Sequence, residues 1–484
     1  MKKRFLLFSL SALLLAGACK KTTISDNGPD TEKPGTNNGN VVEISGEITS
    51  NTTWTADKIY LLKGFVYVSN GATLTIEPGT IIKGDKATKA TLIVTRGSKI
   101  NATGTADKPI VFTSALGAGA RSHGDWGGVI LLGKAPVNMG TDVKIEGGLE
   151  APKGKDEKNY IFYGGTDAAD NSGVLKYVRI EFGGIAYSVD NEINGLTMGG
   201  VGSGTTLDYI QVYRSGDDAF EWFGGTVNAK HLLAIGTWDD DFDTDFGYSG
   251  NIQFALAQRV ATVADQSGSN GFESDNNGDG TDATPKTSAV FSNVTILGPL
   301  QTASGSANAS YQHGNQVRRN SSISLFNSVV SGFPIGLYVD DTKVITANST
   351  SNNFLTGAAV YNNNLFIGSK TDALKISSTT NSAALSTLLK SNNTFDNTIF
   401  ATTAMYKAPY NYGTDFGKTP ANPDFTLATG SVLATGALFT HAKVSGSYFE
   451  KVAYKGAFGT EDWTKGWAHY DPQTLPYTTP GAVK

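Results

Sequence analysis

The chain has 484 residues and a formal net charge of −5, with 57 glycines against 39% hydrophobic and 17% charged residues. That balance indicates many turns and few amphipathic helices, and the negative charge argues against a nucleic-acid partner. Cys19 is the single cysteine, which excludes a disulfide framework and a cysteine-based metal site.

In chain order, Lys2, Lys3 and Arg4 open a segment whose apolar run, Phe5 to Leu15, is too short to span a bilayer as a helix. It ends in Ala16-Gly17-Ala18-Cys19. This resembles the bacterial lipoprotein lipobox, with Ala16 where Leu is more usual. The resemblance implies a signal peptide over residues 1–18 and a lipid on Cys19, making the membrane a partner through the N-terminal lipid. Lys20 and Lys21 follow; by resemblance to bacterial sorting rules they imply the outer membrane, with the periplasmic or surface-exposed side left open. The rest of residues 19–41 is polar, rich in Gly, Asn and Pro, and reads as a flexible tether.

Strand-like repeats begin next. Leu74-Thr-Ile-Glu-Pro-Gly-Thr-Ile-Ile82 superimposes on Leu92-Ile-Val-Thr-Arg-Gly-Ser-Lys-Ile100 with a shift of 18. A unit this small cannot bury its apolar face alone and must stack on its neighbours. LKYVRIEFGG (175–184), LDYIQVYRSG (207–216), AKHLLAIGTW (229–238), AVFSNVTILG (289–298), SLFNSVVSGF (324–333) and AVYNNNLFIG (359–368) continue the pattern at spacings of about 20 to 35 residues. Ser382 to Lys390 is the best candidate for a short helix. These features predict an all-β fold, a right-handed parallel β-helix over residues 42–475, with 476–484 as a C-terminal tail. A multi-bladed propeller is the competitor, but no four-strand blade signature is visible.

GATLTIEPGTIIKG (71–84), GTADKPIVFTS (104–114) and GDWGGVILLGKA (124–135) are similar to the opening coils of large β-helix surface lipoproteins of Bacteroidota-type bacteria, with a pectate-lyase-like solenoid. SGDDAFEWFGGTVNAKHLLAIG, DDDFDTDFGYSGNIQFALA, SNGFESDNNGDG and the closing DWTKGWAHYDP resemble the same proteins. The resemblance covers most of residues 43–472. It implies a secreted or surface β-helix and supplies no catalytic residues.

The acid is localised. Between Asp208 and Asp282 stand fourteen Asp and Glu against three basic residues, Arg214, Lys230 and Arg259. Registering Phe220 on Phe242 on Phe272 turns the phenylalanines inward. Alternation along a strand then turns Glu221, Asp241, Asp243, Asp245, Glu273 and Asp275 outward. Glu221, Asp243 and Glu273 fall in one column and Asp245 and Asp275 in a second, with Asp218, Asp240 and Asn270 at the corner. Coils lie about 4.8 Å apart, where two carboxylates repel by about 1 kcal/mol even in water. Raised pKa values or a bound hard cation relieve this, and calcium, which takes six to eight oxygens, fits best. Zinc would want His or Cys, and only His231 lies close in sequence. A solvated acidic face is the alternative. DNNGDG supplies Asp275, Asn277 and Asp279 at alternate positions, the first half of an oxygen-ligand loop, but Lys286 replaces the twelfth-position glutamate. An ordinary Asn/Gly turn explains it equally well.

Catalysis has weaker signals. Ser215-Gly216-Asp217-Asp218 resembles the paired-aspartate segment of polygalacturonase-type glycosidases, whose Gly-His-Gly and Arg-Ile-Lys segments are missing. Calcium-assisted β-elimination, as in pectate-lyase-like proteins, needs a base, and Arg214, Lys230 and Arg179 are the candidates. Phe223 and Tyr248 are surface candidates for stacking on sugar rings, whereas Trp222 faces inward. His313, Arg318 and Arg319 form a partly basic loop that reads as a coil cap. The expected function is surface binding or structural, through a calcium-loaded acidic face directed at glycan or another cell-envelope component such as an envelope protein. A calcium-dependent polysaccharide lyase or glycosidase is the alternative.

Overall fold

Strands rich in β-branched and aromatic residues pair in parallel from coil to coil and form three ladders around one apolar interior. The first ladder runs through Thr91–Val94, Gly128–Leu132, Leu196–Gly199, Phe220–Phe223, Phe242–Asp245, Phe272–Ser274, His313–Val317, Ile335–Val339 and Asp372–Ile376. The other two are the halves of long bent strands, Gly173–Glu181, Thr206–Tyr213, Asn228–Ile235, Asn251–Gln258 and Val290–Leu297, continued by shorter strands at both ends. The chain is therefore a parallel β-helix, as its spacing predicts. This computed structural model describes residues 39–188, 191–401, 404–412 and 423–484. The lipobox, Cys19 and the tether to residue 38 lie outside the described residues. Among these, no helix is long and apolar enough to cross a membrane.

Each bent strand turns on one residue in the left-handed region. Tyr177, Tyr209, His231, Phe254, Asn293, Asn327 and Asn363 stack in register there, with φ between 50° and 65°. A side chain in that region costs about 1–2 kcal/mol. Two devices offset it. Tyr177, Tyr209, His231 and Phe254 stack ring on ring at 4.4, 4.1 and 5.3 Å, worth about 0.5–1.5 kcal/mol a pair. The later coils use asparagine, which among residues with a side chain tolerates this conformation well. His231 is thereby committed to the stack and to Asp208, 2.8 Å from its Nδ1, so it is unavailable to the acidic face.

Two expectations need correction. The 18-residue shift does not relate successive coils, because Leu74 stacks on Ile100 and Leu92 on Val66. It relates two sides of one coil, which carry similar strand-turn units. Residues 476–484 are not a loose tail. Tyr477 and Val483 are buried, and Arg179 donates to the Tyr477 hydroxyl at 3.0 Å and the Val483 carbonyl at 2.5 Å. The expected short helix is present as Ser382–Asn392, with Leu385 and Leu389 buried against the interior.

The kink makes a prediction. Asn293→Val places a β-branched residue at positive φ and removes the bond from Asn293 Nδ2 to the Tyr454 carbonyl together with those its Oδ1 accepts from Gln253 and Ser292. Asn293→Gly removes the same bonds without the strain. Valine should destabilise the chain more than glycine by about 1–2 kcal/mol, compared by thermal and denaturant unfolding.

Candidate functional site

The phenylalanine register holds residue for residue. Phe220, Phe242 and Phe272 stack inside the solenoid with centroids 5.7 and 5.2 Å apart and no exposed surface. Glu221, Asp243 and Glu273 are consequently paired in one outward column. At the corner the stacking becomes a hydrogen-bond ladder. Asp218 Oδ1 accepts from Asp240 N at 2.8 Å, Asp240 Oδ1 from Asn270 N at 2.5 Å, and Asn270 Oδ1 from His313 N at 3.1 Å. Each corner carboxylate is thus fixed by main chain through one oxygen, and the second oxygen of Asp240 also accepts from Asn270 Nδ2 at 3.3 Å.

Three groups of carboxylates present oxygens within 4.8 Å of one another: Asp217, Asp218 and Asp239; Asp218, Glu221 and Asp243; and Asp240, Asp243 and Glu273. Asp218 links the first two and Asp243 the last two, so they form a continuous row along the solenoid. The row is not an open, solvated face. Asp218, Glu221 and Asp240 are 7%, 6% and 4% exposed, and Asp217, Asp239, Asp243 and Glu273 are half-buried. The excursion between Gly128–Leu132 and Gly173–Glu181 folds over this side of the ladder, with Tyr163 against Phe223 at 6.2 Å. Asn194 donates through Nδ2 to Glu221, and Glu146 stands at the rim beside it.

Burial, and then the neighbouring carboxylates, push Asp217, Asp218, Glu221, Asp239 and Asp243 well above the usual carboxylate range. Glu146, exposed at the rim, is also pushed up, by partial desolvation and the Glu192 charge, against hydrogen bonds to Glu221 and Asn194 that lower it. Asp239 Oδ1 and Asp243 Oδ1 are buried with no hydrogen-bond donor, an expensive arrangement for a charged oxygen.

The sequence-predicted residues separate into those that converge and those that do not. Asp218, Glu221, Asp240, Asp243 and Glu273 converge, and Asp217 and Asp239 join them. Asp241 does not. It precedes the strand, where the corner turns it away into an ion pair with Arg259 at 2.9 Å, both side chains fully buried. Asp245 accepts from the Phe246 amide at 2.6 Å, outside the three groups. Asp275 is taken by Arg318 Nε at 2.8 Å and Arg319 Nη1 at 2.5 Å, and Arg318 also contacts Glu273. Asn277 is spent on Thr281, through both its amide nitrogen and its oxygen, and Asp279 is exposed. DNNGDG is therefore a turn beside the row and adds no ligands to it.

Phe223 and Tyr248 are not surface residues. Phe223 points outward, as alternation requires, but is covered and only 3% exposed; Tyr248 is fully buried, stacked on the inward-facing Trp222 at 5.2 Å. The candidate bases also lie elsewhere. Lys230 pairs with Glu450 at 2.7 Å, Arg179 is sealed under the C-terminal residues, and Arg214 faces Asp471 electrostatically. Sequence reasoning missed Glu146, which reaches the site from an excursion with no periodicity. It missed Asn194 too, which precedes Leu196–Gly199 and falls in the corner column with Asp218 by the register of Leu196 on Phe220. It also treated Arg318 and Arg319 as a cap, although continuing the register from Glu273 to Gln316 places Arg318 over the acids.

Comparison with known proteins follows this geometry. Residues 46–468 match the family model described as a pectate-lyase like beta helix domain. The chain belongs to that family. Among solved structures it is similar to pectate lyase Pel9A, at 12% identity and a TM-score of 0.35, covering 87% of this chain and 88% of that one. It is also similar to the Dettilon tailspike protein, at 11% identity and a TM-score of 0.22, covering 68% of this chain and 62% of that one. No curated protein matches it.

The raised carboxylates fix the sign of a pH dependence. A native state that holds protons more tightly than the unfolded chain is stabilised at low pH and loses that stability as pH rises through the native values. The window opens at the ordinary carboxylate value of about 4 and extends above it, because burial and neighbouring carboxylates raise Asp218, Glu221 and Asp243. With chelator present, the melting temperature should therefore be higher at about pH 5.5 than at about pH 8. A melting temperature that rises with pH in chelator would contradict the account.

Proposed function

We propose that the chain is a β-helix lipoprotein, held at the outer membrane through Cys19, whose acidic row is loaded with calcium and binds acidic glycan or another cell-envelope component. The observation that carries this reading is the row itself: seven carboxylates in three linked groups, too buried to be relieved by solvent. Arg318 reaches one end of the row through Glu273. Calcium is favoured over zinc because every donor in the groups is a carboxylate oxygen, the ligand type of a hard cation with flexible coordination. Once loaded, the row would be close to neutral and would present cations with open coordination positions at its half-buried members, Asp217, Asp239, Asp243 and Glu273. That is a surface suited to the carboxylates of a uronate-containing chain.

One observation favours a second reading, a calcium-dependent lyase. Arg318 stands beside the row, and burial and the adjacent Arg319 push its guanidinium pKa down, the direction a proton-abstracting base requires. Asp243, Asp240 and its ion pairs with Glu273 and Asp275 oppose this. In β-elimination the cation would neutralise the uronate carboxylate while such a base removed the adjacent proton.

Thermal melts of the full chain with calcium and with chelator test the site. Calcium should raise the melting temperature by several degrees through binding to the native state alone. Asp218→Asn/Asp243→Asn, which touches all three groups, should abolish the rise. Asp241→Asn should lower stability yet leave the calcium response intact, because its partner is Arg259. An unchanged melt in calcium would sink both readings. Incubation with a uronate polysaccharide then separates them: retention without unsaturated product supports the binding module, and product lost in Arg318→Met supports the lyase.

A further inference from the structure

The C-terminal residues travel back along the kinked side of the solenoid, from Gly436 at Asn363 to His469 at Gln211. They are held in an unusual way. Gln211 donates through Nε2 to the His469 carbonyl at 2.8 Å and accepts at Oε1 from the His469 amide at 2.9 Å. Gln253 makes the same pair of bonds with Glu450, at 2.9 and 2.7 Å. Asn327 makes them with Leu438, at 3.0 and 2.8 Å. A side-chain amide used at both ends imitates a neighbouring strand: it satisfies one N–H and one C=O of a single residue and is indifferent to that residue's side chain. Asn293 and Asn363 add single bonds to the carbonyls of Tyr454 and Gly436. Trp467 supplies an apolar anchor, edge-on to both Tyr177 and Tyr209 at 6.0 Å.

Gln211 and Gln253 are fully buried, yet neither is needed by the solenoid's own ladder, which is built from main chain. The Gln211 amide is spent on the returning segment, and that of Gln253 is shared between this segment and the Asn293 side chain one coil on. We propose that the outer face along the kink is a peptide groove that reads main chain through Gln211, Gln253 and Asn327. Residues 436–470 are its resident ligand, docked as one unit that opens and closes without unfolding the solenoid. The ligand class is an extended polypeptide with aromatic anchors, and opening uncovers the ring stack of Tyr177, Tyr209 and His231 together with Lys230. This site is independent of the acidic row on the other ladder.

Hydrogen exchange read by mass spectrometry on the full native chain tests the proposal. In Gln253→Leu, amides across residues 436–470, including those near His469, should exchange faster together by about tenfold or more, the effect of losing buried hydrogen bonds. The strands Asn251–Gln258 and Val290–Leu297 should keep their protection. Leu438→Ala, which alters a half-exposed side chain and leaves its main chain clipped, should change little. Acceleration confined to the neighbourhood of Glu450, acceleration shared by the strands, or an equal effect from Leu438→Ala would each overturn the proposal. Should Gln253→Leu fail to fold, the unsubstituted chain decides. Its 436–470 amides should share one opening more frequent than that of the strands, and an opening no more frequent than theirs overturns the idea.

Discussion

Parallel stacking at about 4.8 Å per coil is the constraint on which the rest of this structure depends. In a β-helix each residue meets its counterpart one coil away, so a choice made once is repeated as a column. Columns of phenylalanine fill the interior, and columns of tyrosine and then asparagine sustain a kink that an isolated residue would find costly. A column of carboxylates obeys the same geometry with the opposite sign. Glu221, Asp243 and Glu273 are held against one another because their neighbours Phe220, Phe242 and Phe272 stack favourably. The interior fixes the register, and the exterior bears the repulsion.

The excursion that folds over the first ladder makes this repulsion harder to dissipate. Water would screen an exposed acidic column, but Asp218, Glu221 and Asp240 are almost sealed. Only protons, arginines or cations remain as remedies. Arginine is used where it serves structure: Arg259 neutralises Asp241, and Arg318 with Arg319 neutralises Asp275. The row from Asp217 to Glu273 is treated differently, with many acids and a single arginine at one end. That contrast within one cluster separates acids serving architecture from acids arranged to hold something.

Much of the fold was legible because a solenoid writes its geometry as spacing. Alternation assigned Phe220, Trp222 and Phe242 to the interior, and the alignment of three phenylalanines delivered the acidic column without any structure. The same rule failed where a strand ended. Asp241 sits one residue before its strand, and there the corner, not alternation, sets direction. Alternation also says which way a side chain points but not what lies over it, which is why Phe223 faces outward and is nevertheless buried. Asn194 lies in the corner column one coil before Asp218, where extending the register backward reaches it. Glu146, in contrast, could not be found from sequence, since an aperiodic excursion carries no register. Nor could the role of Gln211 or Gln253, whose partners lie about 200 residues or more downstream.

The most direct test of the central claim is to see the ion. Crystals grown with terbium, a calcium substitute with strong anomalous scattering, would locate it without reference to stability or activity. The account predicts anomalous peaks along the row, foremost between Asp218, Glu221 and Asp243, and none at Asp241. Peaks found only at exposed acids such as Asp279 and Asp282, with the row empty, would contradict it. The row would then be a proton-holding cluster.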